Sequence, residues 1–140
     1  MIGARDPKTL VLLFWQAVSI INPYLSSGTK DFLAGSLVLE PLANFTPEGE
    51  LVPTLAVEVP TLENGGISED LTTITWTLKE GLAWADGVPV TSADFVFGWQ
   101  VCTDPALEVV DRAGAVRVQS IKVVDDRTFT VIWKEPYAYY

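Results

Sequence analysis

The chain has 140 residues, of which 49% are hydrophobic and 19% charged, so it can bury a core and is not read as wholly disordered. A net charge of -9 repels phosphate backbones and anionic membrane surfaces, which excludes nucleic acid as the expected partner. With no histidine and one cysteine, Cys102, the chain holds no His triad, His metal site, His proton shuttle or intrachain disulfide.

In chain order, residues 9–16 (TLVLLFWQ) predict a strand buried on both faces. The longer apolar run 10–21 is shorter than the roughly 20 residues a spanning helix needs. Following Arg5 and Lys8, it can also be read as the core of a signal peptide. Asp6-Pro7, the interrupting Gln16 and the lack of a small-x-small cleavage site favour the buried strand. Met1 then reads as a start placed after a removed export signal. Residues 21–31 (INPYLSSGTKD) make a loop. A helix is expected over 30–40, with Phe32, Leu33, Ser36, Leu37 and Leu39 as its apolar stripe, Ser27 or Thr29 as cap and Pro41 as its end.

Residues 46–51 (TPEGEL) predict a turn, 51–59 a short extended or one-turn piece, and 60–71 a polar surface turn around Asn64-Gly65-Gly66. Residues 72–81 alternate. Ile74, Trp76 and Leu78 face one way, and Thr73, Thr75, Thr77 and Lys79 the other, as in a half-buried strand. Gly81 breaks it, Asp86-Gly87 marks a tight turn, and Pro89 limits the next piece to an edge or a brief extension. Thr91 and Asp94 form a capping box for a helix over 91–103, whose Phe95, Trp99 and Cys102 share a buried face. Asp104-Pro105 closes it. Residues 106–114 are ambiguous between a helical turn and a loop. A hairpin follows over 116–134, turning at 125–127, with Phe129, Val131 and Trp133 on its apolar face. The chain then runs out on Tyr137, Tyr139 and Tyr140, aromatics that look exposed. The fold class is α+β, a mixed, mostly antiparallel sheet with two main helices.

The segment 71–100 (LTTITWTLKEGLAWADGVPVTSADFVFGWQ) resembles the hallmark of extracellular solute-binding proteins of the peptide/nickel type, the family 5 receptors of ABC importers. Trp76, Leu78, Lys79, Gly81, Trp84, Asp86, Gly87, Pro89, Val90, Thr91, Asp94, Phe95 and Trp99 carry the likeness. It extends outward to 21–29, 39–56 and 123–140, and so covers nearly the whole chain. Members of the family are several times longer and close two lobes over a ligand. The resemblance therefore implies part of lobe I of a two-lobed periplasmic-binding-protein-like fold. Residues 1–45 correspond to its start (first strand, ligand-side loop, helix) and 46–140 to its accessory subdomain. It also implies an extracytoplasmic location, in the periplasm or anchored at the cell surface, peptides or other small solutes as ligands, and ABC permease subunits as partners.

The resemblance implies a ligand-side loop made of Ser26, Ser27, Gly28 and Thr29, with Tyr24 nearby. Small hydroxyls, free backbone groups and a helix N-terminus suit a peptide carbonyl or carboxylate. Equally, Ser27 and Thr29 can simply cap the next helix. Trp76, Trp84, Trp99 and Trp133 can be read as a stacking platform, but periodic burial favours a core role, least firmly for Trp84. Asp86 and Asp94 can be read as an acid/base pair, but turn and cap roles explain both. Asp125 and Asp126 are expected to be solvated rather than to bind a cation. Cys102 reads as a buried thiol rather than a nucleophile. No enzyme, cofactor or metal is expected. The alternative from another class is an interaction module that self-associates, as a homodimer, through exposed edges and the C-terminal aromatics. An acid hydrolase is disfavoured.

Overall fold

The computed structural model describes residues 8–137. Among them two α-helices and five strands form: α1 (Thr29–Gly35), β1 (Ala43–Phe45), β2 (Leu51–Pro53), β3 (Thr73–Thr77), α2 (Ser92–Thr103), β4 (Val118–Val123) and β5 (Thr128–Trp133). A short 3-10 turn, Pro23–Leu25, precedes α1. Both sheets are antiparallel: β1 pairs with β2, and β3, β5 and β4 form a three-stranded sheet in that order. The α+β class with two helices is therefore the observed one.

The three-stranded sheet holds the core. The alternation in 72–78 puts Ile74 and Leu78 inside, 1% and 0% exposed, and β5 supplies Phe129 from the centre. Burying a Phe of this kind stabilises by about 1.5–3 kcal/mol. On the opposite face the Thr75 and Thr130 hydroxyls meet at 3.1 Å across the ladder. α2 lies over the sheet, with Phe95 stacked on Phe129 at 4.7 Å between ring centroids. Its first residue, Ser92, is buried and donates its amide to the Asp126 carbonyl at 2.8 Å, tying the helix start to the β4–β5 turn. Near the other end, Trp99 Nε1 donates to the Ala115 carbonyl at 3.0 Å.

The N-terminal strand does not form. Residues 9–16 are without regular structure, and Leu13 and Trp15 are exposed. An extended segment becomes a strand only when a neighbour takes its backbone groups, and among the described residues none pairs with this one. The helix after the loop is shorter than expected. α1 stops at Gly35, followed by a turn, so Phe32, Leu33, Leu37 and Leu39 lie exposed rather than forming a buried stripe. Its N-cap is Gly28, with no side-chain cap bond, so neither Ser27 nor Thr29 caps it. β1 is a strand where only a helix end and a turn were expected. Arg5, Asp6-Pro7, Met1, Tyr139 and Tyr140 lie outside the described residues. Tyr137 lies against Trp133, with ring centroids 4.8 Å apart.

Candidate functional site

The loop that leads into α1 is built by short polar side chains. Asn22 Oδ1 accepts from the Tyr24 amide at 3.0 Å, and Pro23 starts the 3-10 turn that carries the chain to Ser26. Ser26 is buried. Its Oγ donates to Asp31 Oδ2 at 2.6 Å and accepts from the Gly28 amide at 3.1 Å. Gly28 sits close to this carboxylate: a Cβ there would stand 3.2 Å from Asp31 Oδ2, which would have to give by a few tenths of an ångström.

Asp31, in the first turn of α1 and 5% exposed, is the hub. Its Oδ1 accepts from the Ser19 amide at 2.8 Å and from Lys30 Nζ at 2.9 Å, and more loosely from the Ile20 amide at 3.5 Å. Lys30 Nζ also reaches the Ser19 hydroxyl. The Ser26 hydroxyl, then Lys30, then the Ser19 amide hold the Asp31 carboxyl well below the usual carboxylate range, against an opposing effect of burial.

This arrangement sorts the five expected ligand residues. Ser26 is turned inward. The Tyr24 carbonyl accepts from the Val110 amide at 2.9 Å, and burial raises its phenol, with Cys102 of α2 adding to the rise. Burial likewise raises the Cys102 thiol, which fits a buried, unreactive group. Ser27 and Thr29 are exposed, and their hydroxyls make no hydrogen bond among the described residues. Sequence reasoning missed Asp31 and Ser19. An acidic residue in the first turn of a helix, five positions after a serine, was the available signal for Asp31; a serine in an apolar run gave none for Ser19.

The hallmark residues have local structural duties. Asp86 Oδ1 accepts from the Val88 amide at 3.0 Å, and Gly87 sits at φ +88°, completing the tight turn. Pro89 bridges to Ala83. Asp94 Oδ2 accepts from the Thr91 amide at 2.7 Å, the return half of the capping box. Of Trp76, Trp84, Trp99 and Trp133, Trp84 is the exposed one, at 48%. With Tyr24, Leu39, Phe97 and Val101 it lines an open groove of about 1000 Å³. Asp125 Oδ1 accepts from the Arg127 and Thr128 amides at 2.8 Å each, a turn role that also depresses its carboxyl, the Arg127 amide being the largest cause. Among the described residues no group of three or more His, Cys, Asp or Glu is placed to hold a metal ion, and no helix is long and apolar enough to cross a membrane.

Residues 50–140, which contain the whole hallmark, match the model of the bacterial extracellular solute-binding proteins, family 5 Middle. The chain belongs to this family. This family 5 chain is 40% identical over 85 residues to the periplasmic murein peptide-binding protein MppA of Escherichia coli K12, covering 61% of this chain and 14% of that protein. It is 27% identical to the periplasmic oligopeptide-binding protein OppA of Salmonella typhimurium, covering 96% of this chain and 27% of that one. The family 5 chain thus spans well under half the length of these relatives. In three dimensions it resembles Haemophilus influenzae OppA in complex with RPPGFSPFR, with a TM-score of 0.73 at 26% identity over 85% of this chain and 25% of that one. The oligopeptide-binding protein of Thermus thermophilus, complexed with a pentapeptide, gives 0.71 at 26% identity, over 81% of this chain and 20% of that one.

Proposed function

We infer that this chain is the N-terminal portion of an extracytoplasmic receptor that captures oligopeptides or similar small solutes for an ABC permease, without catalysing a reaction. The observation that carries the reading is the family 5 match over 50–140, joined to a fold shared with receptors described in complex with peptides. In this reading residues 1–45 open lobe I and 46–140 form its accessory subdomain. The exposed Ser27 and Thr29 hydroxyls, set on a loop fixed from behind, are groups that suit a peptide's carbonyls and amides. α1 is too short for its N-terminus to act as an anion site, so the hydroxyls and loop backbone carry the contact. Ligand binding works by favouring a closed arrangement of two lobes, so the 140-residue chain by itself binds weakly.

Thermal melting of the receptor carrying this chain, with and without a mixed di- to pentapeptide pool, tests the proposal. At 100-fold excess over Kd, a ligand that binds only the folded state adds about 2.7 kcal/mol, an upward shift of several degrees. Absence of a shift with every peptide, beside a shift with another small solute, would move the assignment away from peptides.

A further inference from the structure

We propose that Asp31 is a positioning residue for the ligand loop: its buried carboxylate gathers donors from both sides of residues 21–29 and so presents Ser27 and Thr29 in one arrangement. This rests on the receptor reading above. The donors are the Ser19 and Ile20 amides before the loop, and the Ser26 hydroxyl and Lys30 ammonium within and after it. Every one is a donor, so only an acceptor-only group can take them all; an asparagine would turn an NH₂ toward one of them. The Ser26 hydroxyl is a relay, because the proton it gives to Asp31 leaves its lone pairs to the Gly28 amide. The side chain of Asp31 therefore reaches, through one hydroxyl, the backbone between the two free hydroxyls. Gly28 adds a second constraint, since any Cβ there presses on the same carboxylate. Asp31 does not face the ligand side itself, being 5% exposed, whereas Ser27 and Thr29 are exposed. A loop fixed before the ligand arrives loses less freedom on binding, which is how a residue out of contact with ligand raises affinity.

The test uses the receptor carrying this chain, as wild type, Asp31→Asn, Ser26→Ala and the double variant. Amide hydrogen exchange is followed at Ser19, Gly28 and the β3–β5 ladder, and calorimetry measures trialanine and a mixed di- to pentapeptide pool. The expected result is faster exchange at Ser19 and Gly28 in Asp31→Asn, unchanged protection in β3 and β5, and peptide binding weaker by about tenfold or more. The double variant binds no more weakly than Asp31→Asn alone, because both act through one link. Wild-type affinity in a variant whose loop amides exchange rapidly overturns the proposal, as does unchanged exchange, or a double variant whose loss is the product of the two single losses. Should Asp31→Asn also lose protection in β5, Ser26→Ala decides: rapid Gly28 exchange with weakened binding supports the role, and unchanged binding overturns it. A wild type that binds no peptide overturns the receptor reading, and the positioning role with it, before any variant is compared.

Discussion

The stack of Phe95 on Phe129 joins α2 to the central strand and can be measured apart from the burial of either ring. Phe129 is 2% exposed, so Phe129→Leu removes three buried ring carbons at about 0.8 kcal/mol each, a cost of about 2 kcal/mol before any cavity effect. Phe95 is half-buried, and the same change there costs about 1 kcal/mol. The ring-on-ring contact, with centroids 4.7 Å apart and planes inclined by 17°, adds about 0.5–1.5 kcal/mol that either substitution alone abolishes. The double variant is therefore expected to lose less than the two singles together, by about that amount. Urea unfolding of all four species measures it, and a domain stable by about 5–15 kcal/mol leaves each folded at the start of the titration. Losses that add to within about 0.3 kcal/mol would refute the packing of α2 on β5 at this point.

Asp94→Ala removes the return half of the capping box and should cost about 1 kcal/mol, seen as a lower urea midpoint at constant m-value. Two glycine changes should act with opposite signs. Gly87→Ala, at φ +88°, should lose about 1–2 kcal/mol, and Gly98→Ala, in α2 with open space around it, should gain about 0.5–1 kcal/mol. Losses at both would contradict the helical placement of Gly98. Because the Asp31 carboxyl is held below its ordinary 3.8, the stability it contributes is present above that pH and is lost as the pH falls. The melting temperatures of wild type and Asp31→Asn should thus differ at neutral pH, the gap starting to narrow only as the pH falls below 3.8 and closing well below pH 3, and a gap that stays constant through that fall would refute the charge-based account.

What could be read from residues alone was local. The Thr91–Asp94 box, the Asp86-Gly87 turn, the alternation through Ile74 and the hairpin around Asp125 each depend on neighbours a few positions apart, and each is present. Residues 9–16 failed for the opposite reason. Their β-branched and aromatic content is a preference, whereas a strand also needs a partner that sequence pattern cannot supply. Phe32, Leu33, Ser36, Leu37 and Leu39 run near helical spacing, but α1 gives way after Gly35 to a turn. At the loop, residue types pointed to Ser26 to Thr29 as one group. They could not show that Ser26 is spent on Asp31 while its neighbours stay free, because that division depends on which way each hydroxyl turns in the folded loop.

The strand order β3-β5-β4 also bears on how the chain folds as it is made. Among the described strands β5 is the last to emerge and the one that pairs with both β3 and β4. β3 therefore leaves the ribosome with only the isolated bridges Ile67–Ile74 and Ala56–Leu78 to earlier residues, and its ladder partner follows after residues 78–127. The β4–β5 hairpin closes over a short turn and can form first; recruiting β3 then means closing a long loop, whose entropic cost rises by about 0.6 kcal/mol for each doubling of its length. Loop-closure cost thus favours assembly of the sheet from its C-terminal hairpin toward β3. Until that moment Ile74 and Leu78 have only Ile67 and Ala56 to pack with, and the larger apolar partner, Phe129, arrives with the hairpin.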